Sequence, residues 1–236
     1  MLKYLDKEKT VIYGILIINI VLYLISLLID FQFLSNSNSV FSFMSPSSKS
    51  LLVLGACGTI PVDEYNLWWS FISANYLHGG LLHIFFNMAA FKNLAPFVFR
   101  AYGLHKGVII YTLSGVFGFF VSYIAGVKFT IGASGAVCGF IGALFYYGKE
   151  RKDAVGNIIY RQAAGWIVSL AVFGIIMPGI NNWGHGGGVI AGICLGLLLG
   201  KNLVYFEILI RFLGRVCIIA TILVLVWVVF IAAIKI

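Results

Sequence analysis

A serine and a histidine stand at the starts of two apolar segments, where neither has an evident structural purpose. The serine is Ser134, in the Gly-Ala-Ser-Gly sequence of residues 132–135, and the histidine is His185, between Gly184 and Gly186. A serine becomes a nucleophile when a base removes its proton, and histidine is the commonest such base. Polar groups in lipid are costly, so their presence indicates function. The pair predicts a nucleophile and its base.

A third polar cluster lies in an earlier apolar segment and contains His78, His83 and Asn87. His83 and Asn87 are four residues apart and therefore share one face of a helix. When a serine attacks a carbonyl, the oxyanion that forms needs positioned hydrogen-bond donors. His83, Asn87 and the backbone N–H of Ser134 can supply them. No aspartate or glutamate is placed to orient His185, so the sequence predicts acyl transfer by a dyad.

Several histidines in one chain also raise the question of zinc. The spacing of five between His78 and His83 misses the i, i+4 pairing of a helical zinc motif, and no nearby carboxylate or cysteine completes four ligands. The cysteines are scattered and indicate neither a disulfide framework nor a CxxC site. We therefore predict no metal site. The four cysteines are Cys57, Cys138, Cys194 and Cys217.

Composition indicates which elements must position these groups. Hydrophobic residues make up 61% of the chain and charged residues 10%, and the mean hydropathy is +1.01. This composition is typical of an all-α polytopic membrane protein. Since a span needs about 20 apolar residues, the chain accommodates roughly seven spans within a single membrane domain, residues 1–236. The apolar runs lie at about 11–29, 77–97, 104–126, 133–148, 158–178, 185–200 and 208–234.

Basic residues between the runs predict the orientation. They concentrate before the first run, between the second and third, between the fourth and fifth, and after the sixth. By the positive-inside rule the amino terminus is cytoplasmic and the carboxyl terminus lies outside. The net charge of +8 is thus explained without a nucleic-acid partner. Residues 30–69 form a long first loop, and the first run is a span because no small-residue cleavage site follows Asp30. An Ile-, Phe- and Lys-rich chain without a transit peptide favours a bacterial inner membrane.

Two of the spans are short for a bilayer. Counting from Gly135 to the charged end of the fourth run gives about 21 Å of helix at ~1.5 Å per residue, against a hydrocarbon core of about 30 Å. The sixth run, from His185 to Gly200, gives about 24 Å by the same arithmetic. Ser134 and His185 should therefore lie at a similar depth below the outer face. Non-helical backbone at that depth requires a cavity, and we expect that cavity to be wet.

Small residues predict that the fourth and sixth spans touch. Gly135 and Gly139 are four apart on the fourth run, and Gly188, Gly192 and Gly196 form an i, i+4 ridge on the sixth. Ridges of this kind allow two helix backbones to approach closely in lipid. That approach is how a serine and a histidine on separate helices would meet.

Taken together, these motifs resemble the rhomboid family of intramembrane serine proteases over residues 60–200. The resemblance implies a rhomboid-like six-helix bundle in residues 1–206 with an added seventh transmembrane helix at 207–236. It implies cleavage of peptide bonds in or near the transmembrane segments of single-pass or other membrane-protein substrates, with no metal or organic cofactor. The residues that carry it, in chain order, are His78, His83, Asn87, Gly132, Ala133, Ser134, Gly135, His185, Gly188 and Gly192.

In that resemblance Ser134 and His185 are the catalytic dyad, and His83 and Asn87 serve the oxyanion. His78, Gly132 and Ala133 support the site. Two positions depart from the family pattern. Residues 68–69 are Trp-Trp where the family often has Trp-Arg, and position 138 is cysteine where many members have a tyrosine that stacks on the histidine.

Without that tyrosine, Trp166 and Trp183 are the candidates to support the His185 ring. Two other functional classes stay open at this point. A proteolytically inactive rhomboid-like protein would bind membrane clients, but such relatives lack the serine or the histidine. A small transporter would also have polar groups at depth, but this chain shows no repeated halves and no intramembrane carboxylate.

Overall fold

The structure, a computed structural model, describes residues 2–30, 44–177, 179–200 and 206–235. Long α-helices dominate this part of the chain, and the predicted all-α polytopic architecture is confirmed. Each of the seven apolar runs falls on one long helix. The helices are α1 (Leu2–Ile29), α2 (Ser48–Val53), α3 (Ser70–Ser73), α4 (Leu81–Tyr102), α5 (Leu104–Ile124), α6 (Ser134–Glu150), α7 (Ala154–Ile176), α8 (Asn182–Gly200) and α9 (Glu207–Lys235).

Six of the described helices are long and apolar enough to cross a membrane, namely α1, α4, α5, α7, α8 and α9. The remaining run forms α6, whose 17 residues make about 26 Å of helix at ~1.5 Å per residue. The fourth span is therefore short, as the sequence predicts. The prediction of a short sixth span is wrong, because α8 begins at Asn182 and is 19 residues long. His185 lies within its first turn.

Capping residues explain why two helices begin earlier than their apolar runs. The Asp153 side chain accepts a hydrogen bond from the Gly156 N–H at 2.8 Å and starts α7 at Ala154. The Asn181 side chain accepts from the Gly184 N–H at 3.0 Å and supports the start of α8. A cap satisfies backbone donors that have no partner within the helix. The apolar runs do not include the polar capping residues, so hydrophobicity alone places these two helix starts too late.

The first loop is tied to the segment that leads into α6. Within the predicted loop of residues 30–69, residues 31–43 lie outside the described residues, and the remainder contains α2 and a π-helical turn at Ile60–Glu64. Cys57 and Thr130 exchange two backbone hydrogen bonds, of 3.0 and 2.7 Å, as an isolated antiparallel bridge. This bridge fixes the chain just before residues 132–135.

Helix α6 lies at the centre of the bundle, in contact with α4, α5, α7 and α8. Phe140, on α6, is fully buried and packs against three rings: Phe91 at 5.8 Å, Phe99 at 6.1 Å and Tyr111 at 5.7 Å between ring centroids. Helices in lipid associate through close packing more than through burial of apolar surface. The aromatic cluster around Phe140 and the glycines between α6 and α8 provide that packing.

The α6–α8 contact is made through backbone. A Cβ at Gly188 would collide with the carbonyl of Gly135, and one at Gly192 would collide with the carbonyl of Gly139. One turn further, a Cβ at Gly196 would lie 2.9 Å from the Tyr102 hydroxyl. Side chains at these positions would push the helices apart, so glycine sets the distance between α6 and α8.

Candidate active site

Ser134 is the first residue of α6 and is half-buried. The segment before it is held in place because the Gly132 N–H donates to the carbonyl of Ala74 at 2.9 Å. Gly132 has a φ of +124°, a conformation that side chains rarely adopt, and Ala133 provides no side-chain cap for the helix. The first N–H groups of a helix have no intrahelical acceptor and form its positive end. The start of α6 can therefore bind a negative charge near the Ser134 hydroxyl.

His83 lies in the first turn of α4, and its ring is oriented by the chain before the helix. Its Nδ1 accepts a hydrogen bond from the Gly79 N–H at 3.2 Å. In a neutral imidazole the other nitrogen then carries the proton, so Nε2 is a donor. A Cβ placed on Gly132 would lie 2.8 Å from that Nε2 and 3.7 Å from the Ser134 Oγ. The His83 donor and the Ser134 hydroxyl thus flank the same glycine.

Asn87 is one turn further along α4 and is buried. Its amide nitrogen donates to the His83 carbonyl at 3.0 Å, a bond within the helix. An amide nitrogen has two hydrogens, so one donor is left over. Asn87 lines the same cavity as Ser134 and His185.

His185 is half-buried near the start of α8, and its Nδ1 is buried with no hydrogen-bond partner among the described residues. No carboxylate lines either cavity in which His185 takes part. The histidine is positioned through its backbone, because its N–H donates to the Asn181 carbonyl at 3.1 Å.

Asn181 is the residue that sequence reasoning missed. Its amide nitrogen lies 2.8 Å from both the Ser122 hydroxyl on α5 and the Thr130 hydroxyl before α6, while its side-chain oxygen accepts from the Gly184 N–H. One side chain therefore connects the start of α8 to two neighbouring elements. An asparagine just before a helical run is a capping signal, but its bonds across the bundle have no sequence signature.

Ser134 and His185 come together at two cavities. The larger, about 590 Å³, lies among α4, α6, α7 and α8 and is also lined by Asn87, Cys138 and Trp166. The smaller, about 10 Å³, lies between the α6 and α8 starts and α5 and is also lined by Gly132 and Asn181. A space of that size holds about one water molecule.

The supporting residues are packed around this centre. His78 is fully buried, its ring stands edge-on to that of His83 with centroids 5.0 Å apart, and both its nitrogens lack partners among the described residues. Ala133 is fully buried in a cluster with Tyr23, Ile84 and Met88. Across the described part of the chain, no three His, Cys, Asp or Glu side chains converge as they would to hold a metal ion.

The two positions that depart from the family pattern have other contacts. Cys138 is buried, and its Cβ would lie 3.2 Å from a Cβ on Gly188, so it packs in the α6–α8 contact. Trp166 shares the larger cavity with His185, whereas Trp183 is 59% exposed. Trp69 packs edge-on against Trp227 of α9, with ring centroids 6.2 Å apart. Trp166, which lines a cavity together with His185, is therefore the better candidate to support the His185 ring.

The sequence of this chain is similar to those of known proteins. Residues 65–202 match the family model of the Rhomboid domain. The chain is 32% identical over 156 residues to the rhomboid protease GluP of Bacillus subtilis, a match that covers 66% of this chain and 31% of that protein. It is 29% identical over 163 residues to RHOMBOID-like protein 4 of Arabidopsis thaliana, covering 66% of this chain and 40% of the relative.

A third relative is the putative rhomboid protease YdcA of Bacillus subtilis, 29% identical over 146 residues, which are 58% of this chain and 71% of that protein. The chain spans between 31% and 52% of the length of the first three curated relatives. The similarity therefore concerns the membrane core.

Proposed function

Because this chain belongs to the rhomboid family, we propose that it is an intramembrane serine protease, with Ser134 and His185 as its catalytic dyad. Its substrates are single-pass or other transmembrane proteins, cleaved in or near their membrane segments. The observation that carries the proposal is the cavity that Ser134 and His185 share with Asn87, although the three residues come from three different helices. A serine and a base at one cavity are the minimum requirement for nucleophilic catalysis.

In the proposed reaction His185 accepts the proton of the Ser134 hydroxyl as its oxygen attacks the carbonyl carbon of the scissile peptide. The tetrahedral intermediate then collapses, and His185 returns the proton to the leaving amine. An acyl-enzyme ester on Ser134 remains. A water molecule, deprotonated by His185, hydrolyses the ester and restores the serine. The small cavity beside both residues is suited to hold that water.

Three donors are available for the oxyanion of the intermediate. They are the Nε2–H of His83, the second amide N–H of Asn87 and the backbone N–H of Ser134 at the positive end of α6. Preorganised donors in a site that excludes most water contribute strongly, because they need no reorientation as charge develops. No metal is required in this scheme.

Substrate access is proposed from the lipid between α4 and α7. The larger cavity is lined by both helices, and only 6% of the most apolar stretch of α7 is buried. A weakly packed helix can move at lower cost than a buried one. A transmembrane substrate could thus reach Ser134 laterally, without leaving the bilayer.

The remaining parts of the proposal concern placement in the cell. Basic residues at one end of the helices support a cytoplasmic amino terminus and an external carboxyl terminus. The Ile-, Phe- and Lys-rich composition supports a bacterial inner membrane. Residues 1–206 would form the catalytic core, and residues 207–236 would be the added helix.

The test is cleavage of a single-span substrate by the purified, reconstituted protein, together with labelling by a fluorophosphonate, which reacts with activated serines. We expect Ser134→Ala to lose both activities and His185→Ala to lose cleavage. The matched control is Ser114→Ala, which removes another buried intramembrane hydroxyl, one without a partner among the described residues. It should retain both activities. Undiminished cleavage by either Ser134→Ala or His185→Ala would contradict the dyad.

A further inference from the structure

A second large cavity lies at the end of the bundle where α1, α5 and α9 begin and α4 ends. Its volume is about 470 Å³. Four of its lining residues carry a positive charge, one carries a negative charge, and His105 adds an imidazole. The charged residues are Lys7, Lys106, Arg211, Arg215 and Glu207. None of these residues takes part in the proposed proteolysis. We refer to this space as the basic cavity.

The positive charge of the basic cavity is only partly compensated. Glu207 pairs with Arg211, with Nε and Oε1 3.0 Å apart. Lys106 donates to the Leu199 carbonyl at 2.7 Å, which satisfies one of its hydrogens but leaves its charge unbalanced. Lys7 and Arg215 have no carboxylate partner among the described residues. The cavity therefore has the charge of a site for an anion.

The depth of Arg215 in the membrane also favours an anion site. It lies two turns after Glu207, about 12 Å along α9 at ~1.5 Å per residue. A cation at such a position in a membrane helix is costly unless it has a partner or reaches water. The guanidinium can bind two phosphate oxygens at once, which makes phosphate a suitable partner.

The walls of the basic cavity are fixed in position by close packing. A Cβ on Gly214 would lie 2.9 Å from the His105 Cβ and 3.0 Å from its Nδ1, so α5 and α9 approach closely beside the cavity. That Nδ1 is buried and has no hydrogen-bond partner among the described residues.

Apolar side chains on the same stripe of α9 indicate that the ligand is a lipid. Ile208, Arg211, Phe212 and Arg215 follow one another at helical spacing and so share one face. Ile208 is 85% exposed and Phe212 is 60% exposed. An anionic phospholipid can place its phosphate among the arginines and its acyl chain along these side chains.

We propose that the basic cavity binds the phosphate group of an anionic phospholipid from the leaflet at this end of the bundle. Basic pockets between transmembrane helices bind such headgroups through charge and hydrogen bonds. The ligand would stabilise the junction of α1, α5 and α9 by neutralising charges that otherwise repel one another.

The test uses the full-length protein reconstituted in vesicles of phosphatidylcholine mixed with phosphatidylglycerol, and native mass spectrometry of the retained lipids. We expect the protein to retain phosphatidylglycerol in preference to phosphatidylcholine. Replacing Arg211 and Arg215 by glutamine should reduce that preference about fivefold for each arginine removed. The control Lys152→Gln with Arg161→Gln, two exposed basic residues near the start of α7, should keep it.

A second variant should change the lipid preference in the opposite direction. Glu207→Gln removes the only carboxylate among the described residues that line the cavity, and it should increase the preference for phosphatidylglycerol. An unchanged preference in the double arginine variant, or an equal loss in the control, would overturn the proposal. Displacement of the lipid by soluble glycerol phosphate would show that the ligand is a soluble phosphate, and would overturn the lipid assignment.

Discussion

Two residues beside Ser134 each keep one hydrogen-bond donor for a substrate. Asn87 uses one amide hydrogen for the His83 carbonyl and keeps one, whereas His83 uses Nδ1 as an acceptor and keeps Nε2 as a donor. Each residue is therefore both fixed by the protein and free to serve the oxyanion. A preorganised site requires donors that are held in position by the protein and are still available to the substrate.

We predict that Asn87→Ala lowers kcat about 100-fold without abolishing cleavage, because two other oxyanion donors remain. Since the lost bond forms mainly in the transition state, KM should change little. Steady-state kinetics with a reconstituted single-span substrate measure both constants. Asn93→Ala is the control: Asn93 is exposed on the same helix, lines the same cavity six residues further along and makes the same type of bond, to the Ala89 carbonyl at 2.9 Å. It should keep the wild-type kcat, and an equal loss would argue against a specific role for Asn87.

Among the helices, the contact between α6 and α8 decides whether Ser134 and His185 can meet. The two residues lie near the starts of their helices, so a small shift of either axis changes their separation. At Gly188 and Gly192 the two backbones pack so closely that even an added Cβ would collide with the opposite helix. Rigid, closely packed helices are an appropriate support for the proposed dyad, since no carboxylate among the described residues lines its cavities.

We predict that Gly188→Ala lowers the free energy of unfolding by about 1–3 kcal/mol, because its Cβ would collide with the Gly135 carbonyl. Cleavage should fall with it, since α8 must move away from α6. The measurements are thermal unfolding in detergent and the cleavage assay. Gly186→Ala is the matched control on the same helix, since a Cβ there meets nothing within 4 Å. If both variants behave alike, close packing is not what constrains α8.

The start of α8 gives a second prediction at this scale. Asn181→Asp keeps the oxygen that caps Gly184 but loses the amide hydrogens that reach Ser122 and Thr130. We expect near-normal thermal stability with reduced kcat, because the helix start is kept while its links to α5 and α6 are lost. Asn181→Ala should lose stability as well, by about 1 kcal/mol for the missing cap. Equal kcat in Asn181→Asp and wild type would show that these links do not position His185.

On the scale of the whole molecule, α9 packs against more than one part of the core. It contacts α5, α3 and α2, and so touches both a spanning helix and the first loop. Trp69 packs on Trp227, and a Cβ on Gly55 would lie 3.4 Å from Val228. The first loop is also tied to the segment before Ser134 by the bridge between Cys57 and Thr130. Packing thus continues from α9 to the candidate site.

We predict that Trp227→Ala loosens the first loop and makes it more sensitive to protease, because the Trp69 ring loses its partner. Thermal stability should fall, since truncating a large aromatic side chain removes both its contacts and its buried area. Limited proteolysis with mapped cut sites is the measurement. Leu223→Ala, an apolar residue of the same helix that is 64% exposed, is the control and should leave the digestion pattern unchanged. Equal sensitivity of the two variants would contradict a role for α9 in holding this loop.

The sequence by itself determined the class of protein, the family and the helices. Each span needs a run of apolar residues whatever its neighbours are, so composition and run length report it directly. The short α6 follows from the same arithmetic. The identities of Ser134, His185, His83 and Asn87 also stand out in the sequence, because polar groups in apolar runs are costly. Their catalytic roles stay predictions until the variants are assayed.

Only the tertiary structure decided how these groups are held. The Asn181 network, the bridge between Cys57 and Thr130 and the basic cavity all join residues far apart in the sequence. Such contacts depend on the distance and register between helices, and between α6 and α8 that distance is set by backbone packing at glycines. Apolar periodicity describes one helix at a time and carries no information about that register.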